Sequence, residues 1–182
     1  TSSASDHDAL ADCDICTAGK YQISTGQTSC TSCLAGRYIS DNANDETKHD
    51  AVGDCTYCSS PNYQSATGAN NCNTACQKGQ KLDSSSGATS CTTCPSGTYQ
   101  ATAGLTSCVG CPVGRFNNDG TSSADDHNAL NDCDICEAGK YQDSTGQTSC
   151  DGCPAGRFNN DGTSSAGDHD ALADCDICTA GK

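Results

Sequence analysis

The sequence predicts a small disulfide-rich repeat protein: an elongated rod of short β-hairpins and loops, with little helix and no large hydrophobic core. Three observations predict it. Cysteine supplies 18 of 182 residues, Leu, Ile, Val and Phe together supply only 16, and one phrase, DHDALADCDICTAGK, stands at both 6–20 and 168–182. A self-contained globule has no reason to repeat itself at its two ends, whereas a periodic array does.

The large apolar residues amount to about 9% of the chain, under the roughly 20% below which acidic chains stay unfolded. There is no Trp or Met, and the net charge is −14. Cysteine at about 10% points the other way, because it falls in the range of disulfide scaffolds. A bridge closing a loop of about 15 residues removes on the order of 3 kcal/mol of unfolded-state entropy. Bridges, rather than buried apolar area, are expected to decide folding, which requires an oxidising, extracellular or cell-surface setting. With no signal peptide, membrane span or initiator Met, the chain reads as a mature piece.

The cysteines form nine close pairs, beginning at 13, 30, 55, 72, 91, 108, 133, 150 and 175. Steps of 17 and 25 residues alternate, with one step of 19, so a 42-residue unit recurs and a 36-residue variant lies at 55→91. The expected divisions are a partial module at 1–29, module pairs at 30–71, 72–107 (the variant) and 108–149, and a partial module at 150–182 that continues the array.

Within each unit the second Cys of a pair opens the pattern C-x-x-G-x-[YF], as in Cys16…Gly19-Lys20-Tyr21 and Cys111…Gly114-Arg115-Phe116. The glycine suits a turn of positive φ, and the aromatic starts a short strand able to lie over a disulfide. Seven of the eight aromatic residues hold this slot; Tyr57 does not. Short steps carry a second glycine four residues before the next Cys (26, 68, 87, 104 and 146), the turn of a small stapled hairpin.

Long steps insert an acidic loop, as in FNNDGTSSADDHNALNDC (116–133). Asp-Gly at 119–120 and 161–162 marks a turn. Ser123 with Asp126, and Ser165 with Asp168, resemble capping boxes, so D-H-x-A-L reads as one helical turn that tucks Leu130 or Leu172 against the bridge. His7, His49, His127 and His169 recur in register there and are expected on the exposed face.

Spacing alone leaves two pairing schemes open. One is sequential: Cys16–Cys30, Cys33–Cys55, Cys58–Cys72, Cys76–Cys91, Cys94–Cys108, Cys111–Cys133, Cys136–Cys150 and Cys153–Cys175, with partners for Cys13 and Cys178 outside this segment. The other interleaves bridges such as 13–30 and 16–33. The sequential scheme is favoured because each motif then closes one loop.

Together, C-x-x-C-[PAT]-x-G-x-[YF]…G-x-[TN]-x-C-x-x-C resembles the ephrin-receptor-like cysteine-rich repeat, related in style to tumour necrosis factor receptor cysteine-rich modules. The resemblance spans essentially the whole chain. It implies extracellular, disulfide-laddered rods serving as spacers, adhesion surfaces or ligand-binding stalks, and no catalysis. The middle departs from it: Pro61 replaces the glycine, Lys81 the aromatic, and Cys72-Asn-Thr-Ala-Cys76 is one residue too long.

Zinc ribbons are disfavoured because nine pairs run in unbroken series with little apolar content to support a reduced fold. Thioredoxin-like chemistry lacks its βαβ setting. Calcium is the candidate cation: Asp119, Asp126, Asp161 and Asp168, with Asn117, Asn118, Asp125, Asn159 and Asn160, offer oxygen ligands, although they miss the EF-hand pattern and a solvated turn is the favoured reading. Nine basic residues against 23 acidic ones disfavour nucleic acid. Ser and Thr exceed a fifth of the chain, which suits O-linked glycans. No nucleophile–base pair is found, so no enzyme is expected. The leading functional expectation is a structural subunit of a fibre or surface appendage formed by self-association. The alternative is a receptor or adhesion stalk that binds a protein ligand.

Overall fold

The computed structural model describes residues 13–179. The sheet structure among the described residues is eight two-stranded antiparallel sheets, each a hairpin of its own. In chain order they pair β1 (Lys20–Tyr21) with β2 (Thr31–Ser32), β3 (Arg37–Tyr38) with β4 (Thr56–Tyr57), β5 (Asn62–Tyr63) with β6 (Thr74–Ala75) and β7 (Gln80–Leu82) with β8 (Cys91–Thr93). Then follow β9 (Thr98–Tyr99) with β10 (Val109–Gly110), β11 (Arg115–Phe116) with β12 (Asp134–Ile135), β13 (Lys140–Tyr141) with β14 (Asp151–Gly152) and β15 (Arg157–Phe158) with β16 (Asp176–Ile177). Each first strand lies at the end of the C-x-x-G-x-aromatic motif, and the second strand lies at the first Cys of the next pair. An isolated hairpin is marginal in water. Here one disulfide closes each.

The bridges are Cys16–Cys30, Cys33–Cys55, Cys58–Cys72, Cys76–Cys91, Cys94–Cys108, Cys111–Cys133, Cys136–Cys150 and Cys153–Cys175, with Cα–Cα distances of 5.6–5.9 Å. This is the sequential order. Cys13 and Cys178 carry free, exposed thiols. The interior is largely sulfur: among the described residues, most fully buried side chains are these cysteines. Around Cys33–Cys55 the cluster is completed by Ile39 and the preceding hairpin's Tyr21. Lys81 holds the aromatic slot half-buried, and the next residue, Leu82, is buried, as Ile39, Gln100 and Asn117 are at the same position of other hairpins.

The chain divides into two compact units, Thr1–Ala75 with Asp83–Ser90, and Cys76–Leu82 with Cys91–Lys182. Each long loop contains two successive 3-10 turns rather than one helical turn: Glu46–Lys48 and Val52–Asp54, Asp125–His127 and Leu130–Asp132, Ala166–Asp168 and Leu172–Asp174. The second turn is capped from behind. The carboxylates of Asp54, Asp132 and Asp174 accept the amides of Ala51, Ala129 and Ala171 at 2.8 Å each.

Two expectations for these loops are corrected. Leu130 and Leu172 do not tuck against a bridge; they are exposed, as is Val52. His49, His127 and His169 are buried, not exposed. The expected caps also differ. Ser123 accepts from the amide of Asp125, and Ser165 caps nothing with its side chain. His7 lies outside the described residues.

Candidate functional site: the joints between hairpins

The aromatic stands two residues after the motif glycine, and the residue after the aromatic makes the joint to the next hairpin. In the first unit the amides of Gln22, Ile39 and Gln64 donate to the carbonyls of His49 (2.8 Å), Ala69 (3.2 Å) and Ala88 (3.2 Å). In the second unit Leu82, Gln100, Asn117 and Gln142 donate to Leu105 (2.9 Å), His127 (2.8 Å), Gln147 (3.2 Å) and His169 (2.8 Å).

The motif glycine adds a bond to the joint residue of the next hairpin. Gly19 and Gly36 donate to the carbonyls of Ile39 (3.0 Å) and Gln64 (2.8 Å) in the first unit. Gly79, Gly97, Gly114 and Gly139 donate to Gln100 (2.8 Å), Asn117 (2.7 Å), Gln142 (2.7 Å) and Asn159 (2.6 Å) in the second. Pro61 holds this slot in the third hairpin and has no amide hydrogen to give.

Glycine is required here for two reasons. At Gly114 φ is +74°, where a side chain is strained, and a Cβ would lie 2.1 Å from the carbonyl oxygen of Ala166, two hairpins onward. The same close approach sets Gly97 against Gly146.

Side chains at the joint follow loop length. Short hairpins use Gln: Gln22, Gln64, Gln100 and Gln142 each donate to a carbonyl seven residues on, at Ser29, Asn71, Ser107 and Ser149, over 2.6–3.2 Å. Their carbonyls accept amides two residues on. Long hairpins of the second unit use Asn. Asn117, 1% exposed, donates to the carbonyls of Asp126 (2.9 Å) and Asp132 (2.8 Å) and accepts from the amide of Asp119 at 2.9 Å. Asn159 repeats this with Asp168 and Asp161 at 2.8 Å each.

In the first unit Ile39 occupies that position, and Asp41 supplies the acceptor instead. Its carboxylate takes the amides of Asn44 (3.0 Å) and Asp45 (3.2 Å) and faces His49 Nε2 at 3.2 Å. The amide of Asn44, then the His49 ring and the Asp45 amide, hold the Asp41 carboxyl below the usual carboxylate range against the opposing effect of burial. Asp83 is also lowered: burial pushes it up, but donors from Thr89 and Ser90 together outweigh that.

The histidines pin each long loop to the short hairpin before it. Nδ1 of His49, His127 and His169 lies 2.7, 2.8 and 2.9 Å from the carbonyls of Lys20, Thr98 and Lys140, each 29 residues back. Nε2 of His127 and His169 faces the carbonyls of Gly120 (2.9 Å) and Gly162 (3.2 Å) in the same loop. Long hairpins also place Arg on the first strand. Arg115 and Arg157 donate across the hairpin to the carbonyls of Cys133 (2.7 Å) and Cys175 (2.9 Å), while Arg37 stacks 3.9 Å over the Tyr57 ring and donates to its hydroxyl.

The four aspartates considered for calcium surround the buried Asn side chains through their main chains. Asp119 and Asp161 give amides, Asp126 and Asp168 give carbonyls, and all four residues are exposed. Among the described residues no three His, Cys, Asp or Glu side chains converge. Sequence reasoning missed the part that the side chains of Asn117, Asn159 and the four Gln play in closing their own loops beside the joints. The available signal was that the aromatic is followed by Gln before a short step and, in FNNDG, by Asn before a long one.

No helix among the described residues is long and apolar enough to cross a membrane. A search of curated proteins finds no match. A family model described as tyrosine-protein kinase ephrin type A/B receptor-like matches residues 3–49, 79–127 and 120–169, more than half of the chain. With its glycine, aromatic and cysteine slots filled as above, this chain belongs to the ephrin type A/B receptor-like family of cysteine-rich repeats, an extracellular or secreted class consistent with eight disulfides.

Proposed function

We propose that this chain is an extracellular structural array, a subunit of a fibre or surface appendage built by regular self-association. The observation that carries the reading is the joint: one amide-to-carbonyl bond, from the residue after the aromatic slot, recurs from hairpin to hairpin in both units. A module whose contacts to its neighbour are so uniform serves spacing and stiffness, because each added repeat buries the same groups. Near-identity between copies adds to this. Residues 116–140 and 158–182 differ only at Asp125/Gly167, Asn128/Asp170, Asn131/Ala173 and Glu137/Thr179, so the same surface is presented again at a fixed interval.

Electron microscopy of the disulfide-intact protein at physiological ionic strength tests the proposal. Bundled or laterally registered filaments are the expected result. Dispersed monomers at every concentration and salt level overturn it. The receptor description of the family favours a second reading, a stalk that binds a protein ligand, and that reading gains if monomers persist while a partner protein is retained.

A further inference from the structure

Three Asp-Gly pairs occur in the second unit, at 119–120, 151–152 and 161–162, and they sit in different backbone settings. The first and third lie in irregular, exposed loop, while Asp151–Gly152 forms β14, paired with Tyr141 and Lys140. Among the described residues no hydrogen bond engages the amides of Gly120 or Gly162. A Cβ on either glycine would meet nothing within 4 Å, and the same holds at Gly152, so strand pairing and not open space sets the third pair apart.

We propose that Asp119–Gly120 and Asp161–Gly162 are modification sites at which the chain isomerises spontaneously to isoaspartate, and that β14 protects the third pair. The glycine nitrogen attacks the aspartate Cγ, its proton passes to solvent and one carboxyl oxygen leaves as water, closing a five-membered imide. Water then adds back. Opening at the side-chain carbonyl restores aspartate, and opening at the main-chain carbonyl routes the backbone through Cβ and Cγ. No atom is gained and no oxidant is needed. In an extended strand ψ near +135° holds the following nitrogen away from Cγ. In the two loops no strand pairing fixes that angle, and the hydrogen bonds common to both fall on the Asp amide and the Gly carbonyl to either side.

The two loop sites share the sequence NNDGTSSA but not their surroundings. The Ser96 hydroxyl donates to the Asp119 carbonyl and steadies the peptide plane that must turn. At the corresponding place before Asp161 stands Ala138, which has no hydroxyl. Asp161 is therefore the faster site, by about fivefold, the factor one neutral hydrogen bond contributes. The product matters to the fold. An added main-chain carbon displaces the Gly120 or Gly162 carbonyl from its histidine Nε2 and loosens the buried clamp.

The test is ageing of the intact, oxidised protein at neutral pH and physiological temperature, with isoaspartate mapped by backbone-fragmenting mass spectrometry and counted with an isoaspartate methyltransferase. The expected order is Asp161, then Asp119, then Asp151. Ser96→Ala should bring Asp119 up to Asp161. Gly162→Ala, which the open space accepts, should suppress its own site while leaving the hairpins intact. The reduced, alkylated chain should lose the difference between Asp119 and Asp161. Equal rates at all three sites in the folded protein, a fastest site at Asp151, or no accumulation in the folded protein would each overturn the proposal.

Discussion

His127 Nδ1 lies 2.8 Å from the carbonyl oxygen of Thr98, which joins a loop to a strand of the preceding hairpin across 29 residues of chain. The ring has no exposed surface, and Nε2 faces a second carbonyl, at Gly120. Removing it leaves a void and takes the hydrogen-bond donor away from a carbonyl it faces. His127→Ala is expected to destabilise the second unit by about 3 kcal/mol. Leu130→Ala, three residues on, should cost under about 1 kcal/mol because that leucine is already exposed. Denaturant titration with the disulfides intact compares the two, and equal losses would refute the assignment of the histidine as the anchor.

Asn117 makes three hydrogen bonds from one buried amide. Asn117→Ala orphans two carbonyls and an amide, for an expected loss of about 2–4 kcal/mol. Hydrogen exchange should then speed up across 118–132, while the Cys94–Cys108 hairpin keeps most of its protection.

Gly114 and Gly139 have the same backbone twist, φ +74° and +79°, but different neighbours. Alanine at either incurs about 1–2 kcal/mol for the left-handed conformation. At Gly114 the Cβ also meets the Ala166 carbonyl at 2.1 Å, while at Gly139 nothing stands within 4 Å. Gly114→Ala should therefore lower the unfolding midpoint well beyond Gly139→Ala. A matched pair of losses would show that the close approach is not rigid.

Acid should loosen the loop around Asp41. Its carboxyl is lowered in the fold, chiefly by the Asn44 amide, so its contribution is present above the unfolded value of about 3.9 and is lost as pH falls through the lower folded value. Solvent near the carboxylate favours a modest effect. Asp41→Asn should flatten the acid limb of a stability–pH curve, and an unchanged limb would count against the assignment.

Reduction should unfold the whole chain rather than one part. Each bridge closes a separate hairpin, and among the described residues cysteine is the commonest buried residue, with only Ile39, Leu82 and Ala88 as buried aliphatic side chains. Treatment with a strong thiol reductant is expected to abolish protection from proteolysis throughout, with no apolar remnant left folded. A protease-resistant reduced fragment would contradict a sulfur-built interior.

Fold class was legible because it depends on side chains that recur at fixed spacing. Cysteine pairs, the positive-φ glycine and the aromatic slot together specify a closed hairpin, and the steps of 17 and 25 residues distinguish short loops from long ones. The joints were harder to read. Their partners are main-chain groups, such as the carbonyls of Thr98 and Gly120, which leave no mark on residue type. A histidine flanked by aspartates therefore looked solvent-facing, although the fold surrounds it with carbonyls. Leu130 misled in the opposite direction, since an apolar residue in a nearly coreless chain has little to be buried against. The exchange of Gln for Asn after the aromatic was visible, and its meaning depends on which carbonyls the loop returns to the strand.

Because neighbouring hairpins recognise one another through peptide groups and the buried imidazoles of the long loops, repeat number is uncoupled from surface design. Excising 116–157 would splice Arg115 onto Phe158 and regenerate a long hairpin of the existing type, with His169 standing in for His127. A gene encoding such a chain can grow or shrink by 42-residue blocks through recombination between copies, changing the number of hairpins in the product without inventing a new contact.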